Sequence, residues 1–326
     1  MMRRTVCLTL AAAALSGVRV AMAQSGRAVR IAWVSSDVAN PESPFLLSFR
    51  AGMRSFGWVD GQNAAIETWW GGGSPQRLKE FIPDVVATRP NLIVAAGGSA
   101  LRPLIDANVG PPIVFALSAD AVLGKAVNGW ARPGVNRTGI SLFSLELVPK
   151  RLELIKDLIP GIKRVAIVGW PPHGGELLEI EAAAAAAQRL GLQHRYFGAN
   201  TGQELDAAFD VIDQWKPEAI LAFAGGLASA HADRFAAFSV RRRIPVVSAW
   251  AVFAEAGNLL TYGPVLEEVY ARLASFADRI LKGANAAELP VERPTKFELV
   301  INMKVAKAIG IQVPQSVLVR ADRVIA

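Results

Sequence analysis

Short apolar runs alternate along this chain with longer stretches whose apolar residues recur every three or four positions. Val29 to Ser35 (VRIAWVS) is the first run and stops on Ser35-Ser36. In Pro44 to Phe56, Phe45, Phe49, Met53 and Phe56 share one helical face. Ala64 to Trp70 reads as a second strand, and Pro75 to Ala87 as a helix with Leu78, Ile82 and Val86 on one side. Leu92, Ile93 and Val94 run on through Ala95 and Ala96 into Gly97, Gly98 and Ser99. An apolar run closed by glycine predicts a strand buried on both faces, as in a parallel sheet. Ala100 to Asn108 predicts the helix that follows it, and Pro112 to Leu117 (PIVFAL) the next strand, running into Ser118-Ala119-Asp120.

The second half repeats this order. Pro149 to Leu158 predicts a helix, Arg164 to Trp170 a strand, Leu177 to Leu190 an Ala-rich helix closed by Gly191, and Gln193 to Phe197 a strand. Gln203 to Trp215 is helix-like, Ala219 to Ala224 is a strand stopping on Gly225-Gly226, Ala228 to Phe238 predicts one helix, and Pro245 to Ser248 is a short strand before Trp250. Lys216-Pro217-Glu218-Ala219-Ile220 echoes Arg89-Pro90-Asn91-Leu92-Ile93, so each half carries a Gly-Gly at the tip of its central strand. Leu259 to Gly263, the amphipathic Glu267 to Leu281, Phe297 to Asn302 and Met303 to Ile309 complete the chain as strand, helix, strand and helix. Alternation of this kind makes βαβ units. The fold class is therefore α/β, with two similar parallel-sheet lobes whose strand tips face one cleft.

A length of 326 residues fits about two domains, and 52% hydrophobic residues is enough for two cores. The N-terminus changes the picture. Arg3 and Arg4 precede a mostly apolar Val6 to Gly17, and Ala21-Met22-Ala23 is an A-x-A cleavage site. Residues 1–23 are expected to be a cleavable signal peptide, so the mature chain begins near Gln24 and is a soluble periplasmic protein. Cys7, the sole cysteine, lies inside that leader, which leaves no disulfide, thiol nucleophile or cysteine-based metal site in the mature chain. The charge of +7 falls to +4 once Arg3, Arg4 and Arg19 are removed. What remains is scattered, and Arg241-Arg242-Arg243 reads as a solvated helix end, so nucleic acid is not an expected partner.

Several segments carry a family resemblance. Pro294-Thr295-Lys296-Phe297-Glu298-Leu299-Val300-Ile301-Asn302 is the most specific. It is accompanied by Lys282-Gly283-Ala284, Leu289-Pro290-Val291-Glu292, Lys307-Ala308-Ile309-Gly310 and Val313-Pro314. Ala131-Arg132-Pro133-Gly134 with Asn136, Thr138 and Gly139, then Lys150-Arg151-Leu152-Glu153-Leu154 and Tyr262-Gly263-Pro264, fit as well. The chain resembles the substrate-binding proteins of ABC transporters whose relatives include tryptophan- and tyrosine-uptake binding proteins. The resemblance implies a type I periplasmic-binding-protein fold, with two Rossmann-like (flavodoxin-like) lobes joined by a multi-strand hinge. On that plan residues 27–142 with 262–292 form the N-terminal lobe, and residues 143–261 with 293–326 the C-terminal lobe. The hinge crossings fall near Gly139 to Ser144, Leu260 to Gly263 and Val291 to Phe297. The resemblance also implies an ABC permease as partner and no catalysis. The chain departs from the family at Trp170-Pro171-Pro172-His173, at Asp120-Ala121 and at Phe223-Ala224-Gly225-Gly226.

The site is expected at the strand tips, where open α/β sheets bind ligands. Ser35, Ser36, Gly98, Ser99, Ala100 and Ser118 would offer hydroxyls and helix-end amides to a carboxylate. Asp120 would pair with an ammonium. For Asp120 and the serines, helix capping is the competing role. Trp170, Phe223, Trp250 and Tyr262 would supply an aromatic wall. That combination suits an amino acid or similar small amine-bearing acid, more apolar than charged. Glu179 and Glu181 sit on an exposed-looking helix and need no function. His173, His194 and His231 lack ligand-like spacing, and Gly71-Gly72-Gly73-Ser74 lacks the lysine of a phosphate loop, so neither metal nor cofactor is expected. A monomeric receptor for an ABC importer is the leading function, a same-fold receptor for a membrane sensor kinase the alternative. An enzyme would need a nucleophile paired with a base, and neither appears.

Overall fold

The computed structural model describes residues 28–171 and 176–326. The predicted signal peptide, Cys7 and His173 lie outside the described residues. The first sheet is made of β1 (Val29–Ser35), β2 (Ala64–Trp70), β3 (Leu92–Ala96), β4 (Ile113–Leu117) and β5 (Arg137–Ser141). Its order is β2-β1-β3-β4-β5, and every pair is parallel. Helices α1 (Pro44–Ser55), α2 (Pro75–Ala87) and α3 (Gly98–Asp106) connect the first four strands. β3 and β4 are buried along their whole length, as continuous apolar runs require. β5 (RTGIS) has no such run and is visible only through its pairing with β4.

The chain then passes through Leu142 and Phe143 into α4 (Ser144–Leu158), which begins before Pro149 and carries that proline in its second turn. The second lobe continues with β6 (Arg164–Gly169), α5 (Glu176–Arg189), β7 (Gln193–Gly198), α6 (Gly202–Trp215) and β8 (Ala219–Ala222). The single helix expected over Ala228 to Phe238 is two. α7 (Gly226–Ala230) stops, His231 turns out of helical geometry at φ −122° and ψ 25°, and its carbonyl opens α8 (Ala232–Arg242). β9 (Val246–Ser248), α9 (Ala251–Glu255) and β10 (Leu260–Pro264) follow.

α10 (Leu266–Leu281) returns to the first lobe, and after a 3₁₀ turn at Ala286–Glu288 the chain ends with β11 (Phe297–Asn302), α11 (Met303–Ile309), α12 (Gln315–Leu318) and β12 (Arg323–Ile325). The second sheet runs β12-β11-β10-β9-β8-β6-β7, parallel except that β11 is antiparallel to β10. β10 pairs with β9 and β11 in this sheet, and α10, which begins at Leu266, packs into the first lobe's core.

Each lobe is a sheet with helices on both faces. In the first, α10 packs along α1. Trp33, Phe49 and Met53 there meet Tyr270, Leu273 and Phe276 in one core, and α2 and α3 close the other face over Ile93 and Phe115. In the second, α4, α5 and α11 cover one face, and a phenylalanine cluster covers the other. Phe209 stacks on Phe238 at 4.6 Å and meets Phe235 edge-on at 5.1 Å. Burying each such side chain contributes about 1.5–3 kcal/mol.

The crossings between lobes hold one another. Ser141 donates its N–H to the Glu292 carbonyl, Glu292 donates to Gly139, and Val265 donates to Lys296. Beside them the Arg293 guanidinium lies between the rings of Trp130 and Phe143, at 4.4 and 4.2 Å from their centroids. Three strands of chain thus form one narrow joint, the arrangement that permits hinge bending.

Candidate functional site

Strand order decides where a ligand can sit. The first sheet reverses direction of growth between β1 and β3, and the second between β6 and β8. In open α/β sheets the crevice outside the carboxyl ends of the strands at such a switch point is the binding place. A cleft of ≈ 540 Å³ occupies that position here and is lined from both lobes. Its size falls in the range of small-molecule sites. Ser36 and Asp37 follow β1, Gly97, Gly98 and Ser99 follow β3, and Ser118 follows β4. Phe45, Trp70 and Tyr270 form an aromatic side. Gly225, Ser229, Trp250 and Val252 face them from the second lobe.

Gly97 turns the chain from β3 into α3 with φ 100° and ψ 162°, a conformation that favours glycine. α3 carries no side-chain cap; Ala100 and Leu101 donate to the Gly97 carbonyl, and Gly98 and Ser99, ahead of them at the helix N-terminus, line the cleft. Asp37 lies at the other side of the switch point. Its carboxylate accepts the Ser35 Oγ–H at 2.9 Å, and Ser35 Oγ in turn accepts the Asp37 N–H at 3.1 Å. Ser35 is fully buried, so the pair fixes the carboxylate from behind. Burial raises the Asp37 pKa above the ordinary 3.8, with the Ser35 hydrogen bond opposing it. Tyr270 is raised as well, first by its own burial and then by the Asp37 charge. Among the described residues no lysine, arginine or histidine lines the cleft, and Asp37 is the one charged side chain that does.

Of the residues expected from the sequence, Ser36, Gly98, Ser99, Ser118 and Trp250 line this cleft. The others are placed elsewhere. Ser35 stands behind Asp37. Ala100 is fully buried on the inner side of α3. The Asp120 carboxylate accepts the N–H groups of Val122 at 2.8 Å and Leu123 at 2.7 Å, closing its own turn outside the cleft lining. Trp170 and Phe223, 7% and 2% exposed, belong to the second lobe's cores. They border a recess of ≈ 10 Å³, too small for a ligand. Tyr262 packs on Phe297 at 6.5 Å and borders a depression with Lys150, Leu154 and Arg320, apart from the cleft.

The sequence reading missed Asp37, Phe45, Trp70, Tyr270 and Ser229. Asp37 had a signal, being the first acid after a strand on the switch point. Phe45 and Tyr270 had none, since their helical spacing matches ordinary core packing. Among the described residues no group of three or more histidine, cysteine, aspartate or glutamate side chains is placed to hold a metal ion.

Residues 47–325 match the family model described as ABC transporter substrate binding protein. The chain belongs to that family. A tyrosine-binding protein of Clostridioides difficile (strain R20291) is 20% identical over 256 residues, which cover 78% of this chain and 73% of that protein. Two solved structures share the fold. A conserved domain protein of Vibrio cholerae superposes with a TM-score of 0.85 at 24% identity, covering 91% of this chain and all of that one. An ABC domain from Streptococcus pneumonia in complex with L-Trp superposes with a TM-score of 0.83 at 23% identity, with the same coverage of each chain. Type I periplasmic-binding-protein architecture is thus common to this substrate-binding protein and its structural relatives, as the resemblance implied. No helix among the described residues is long and apolar enough to cross a membrane.

This substrate-binding protein also carries buried charges away from the cleft. Glu179, expected to be solvated, is 1% exposed, because the Ala-rich side of α5 packs inward and takes it along. Arg151 on α4 is fully buried and donates Nε–H to the Tyr262 carbonyl at 2.8 Å. Glu176 accepts the Tyr196 hydroxyl at 2.6 Å and a backbone hydrogen bond from Trp170. A Cβ on Gly169 would overlap Glu176 Oε1, so glycine is what lets this carboxylate close over the tip of β6. Burial, reinforced by Glu176, pushes Glu179 from its ordinary 4.5 up to about 8, with the Arg151 charge opposing it. The folded state therefore keeps a proton on Glu179 that the unfolded chain releases near its ordinary pKa. The associated stability is present below about pH 4.5 and is lost as pH rises through about 8. Thermal melts between about pH 5 and about pH 9 should show a falling Tm, and Glu179→Gln should flatten that fall. An equal slope in both proteins would overturn the assignment.

Proposed function

We propose that this protein captures a small zwitterion, an amino acid or close analogue, in the interlobe cleft and delivers it to an ABC permease in the inner membrane. One observation carries the reading: a single carboxylate, Asp37, in a cleft whose other described lining is hydroxyls, the Asn40 amide, backbone, aliphatic side chains and aromatic rings, with no cationic side chain among the described residues. A partly buried carboxylate held by the Ser35 hydroxyl is stabilised further when a cation joins it. A ligand ammonium supplies that cation, and the neighbouring rings of Phe45, Trp70 and Tyr270 favour it further. The ligand carboxylate then falls to the first turn of α3 with Ser99 and Ser36, where unpaired N–H groups meet it without a formal positive charge. In this reading Asp37 takes the ammonium, and Asp120 keeps its turn. Relatives named for tyrosine and crystallised with L-Trp agree with an amino acid of apolar or aromatic character. The leader at residues 1–23 supports a periplasmic location.

The test is mass spectrometry of the small molecule released when protein purified from its own periplasm is denatured. The expected species carries both a primary or secondary amine and a carboxylate. A neutral sugar or a dicarboxylate without an amine would overturn the proposal.

A further inference from the structure

Three consecutive glycines, Gly71, Gly72 and Gly73, follow Trp70 at the tip of β2, and three consecutive carbonyls at the tip of β1 accept their N–H groups. Gly71 donates to Ser35 at 2.8 Å, Gly72 to Asp37 at 2.8 Å and Gly73 to Ser36 at 2.6 Å. The β1–β2 ladder ends at the pair Ser35 and Trp70, so the last two bonds lie beyond the sheet. They tie down the two residues that carry the chain from the sheet into the cleft, Ser36 and Asp37. The glycines are required for this. A Cβ on Gly71 would stand 2.9 Å from Leu78 Cγ and 3.2 Å from Ser36 Cα, pressing on the segment it holds. Gly72 and Gly73 have φ 63° and 80°. Two left-handed residues in succession are routine for glycine alone. The turn is anchored at its far end by Ser74, whose side chain accepts the Arg77 N–H and caps α2.

We infer that Gly71, Gly72 and Gly73 are positioning residues for ligand capture: their turn clamps the tip of β1 and holds the Asp37 carboxylate where it meets the ligand ammonium. The ammonium half of this rests on the zwitterion reading. None of the three glycines is among the residues lining the cleft, so they act through Ser36 and Asp37 and not on the ligand. The Ser35 hydroxyl fixes the carboxylate from behind, but it does so only where the Asp37 backbone brings that carboxylate. A contact between a charged side chain and its ligand loses much of its worth when the supporting geometry slackens by a fraction of an ångström. Trp70, which immediately precedes the turn and also lines the cleft, is kept beside Asp37 by the same clamp.

The experiment compares wild type with three double variants: Gly72→Ala with Gly73→Ala, Gly72→Asn with Gly73→Asn, and Gly57→Ala with Gly61→Ala as control. A Cβ at Gly73 meets nothing within 4 Å, and one at Gly72 only the end of the Arg77 side chain at 3.4 Å, so the alanines act through backbone conformation. Gly57 and Gly61 have φ 88° and 80° in the same lobe, nothing within 4 Å, and no place in the cleft lining, so the control carries comparable strain elsewhere. The first readout needs no ligand. Carbon NMR follows the Asp37 carboxyl titration, assigned by difference from Asp37→Asn. Its raised pKa should fall toward the ordinary value in the Gly72 and Gly73 alanine variant and stay raised in the control and the asparagine variant. The second readout is calorimetry with whichever of the protein amino acids binds wild type tightest. Affinity should fall at least roughly tenfold in the Gly72 and Gly73 alanine variant. It should stay within about twofold in the control. Asparagine, which tolerates the left-handed region, should recover most of it. A similar Tm in the two alanine variants separates positioning from stability. An Asp37 titration unmoved by the Gly72 and Gly73 alanines, or an equal loss of affinity in both alanine variants, overturns the inference. A shifted titration in a protein that binds no amino acid leaves the clamp standing and overturns the zwitterion reading.

Discussion

Asp37→Asn should weaken capture of the physiological ligand by about 30-fold or more. The asparagine keeps the shape of the side chain and a contact to Ser35, but removes the one negative charge that lines the cleft among the described residues. Losing one partner of a desolvated charge pair costs about 2–5 kcal/mol, and each 1.4 kcal/mol is about tenfold in affinity. Calorimetry with the released ligand measures it directly. Asp120→Ala is the matching control, because its carboxylate serves the N–H groups of Val122 and Leu123 and not the cleft. It should lower thermal stability and leave affinity within about twofold, as loss of a cap does. Wild-type affinity in Asp37→Asn would remove the ammonium site from the proposal. The pH dependence supplies a second check with the same sign. Burial raises the Asp37 pKa, so affinity should fall on acidification at a higher pH than an exposed aspartate would allow.

Arg151→Ala should cost about 3–5 kcal/mol of folding stability, the range for truncating a large, fully buried side chain. Two losses combine. The Tyr262 carbonyl loses its charged donor, and a fully buried side chain leaves a cavity between α4 and β10. Arg151 remains charged at neutral pH, since burial lowers its pKa only to about 10. Arg151→Met, which refills most of the volume, should recover part of the loss. Exposed ion pairs set the scale. Arg320 meets Asp157 at 2.7 Å with both side chains 40% or more exposed, and such pairs contribute between about 0 and 1 kcal/mol. Urea unfolding of Arg151→Ala and Arg320→Ala side by side should separate them by at least about 2 kcal/mol. Equal midpoints would mean that the Arg151 cluster holds nothing together.

Much of the fold is legible in the chain, and the reasons are local. The apolar runs at Val29, Leu92, Ile113, Arg164 and Ala219 are short, closed by Gly, Ser or Asp, and separated by helical periodicity, so strand, turn and helix follow from spacing alone. Where pattern and pairing part company, the reading fails. β5 contains Arg137, Thr138 and Gly139 and is a strand because β4 needs a neighbour. The site divides in the same way. Ser36 and Ser99 are found because they end strands beside the switch point. Trp170 and Phe223 follow strand ends too, and Tyr262 lies inside β10, but their rings turn into packing, a choice made by residues far away in sequence. Glu179 shows the limit most clearly. Its neighbours Glu176 and Glu181 make the start of α5 look solvated, and only the docking of α4 places Arg151 near it.

The interleaving of the two lobes has a consequence for how the molecule comes into being. The first lobe's core is built around Trp33 and Phe49, yet half of the wall that closes it, Tyr270, Leu273 and Phe276 on α10, is encoded after most of the second lobe. A ribosome adding about 5–20 residues per second needs on the order of 10–40 seconds to go from Phe49 to Tyr270. Throughout that interval the first sheet has an uncovered apolar face, and no N-terminal fragment ending before Leu266 can complete it. The last segments of the chain finish its first lobe, so the protein acquires its cleft, its joint and its stability together, only once α10 is present.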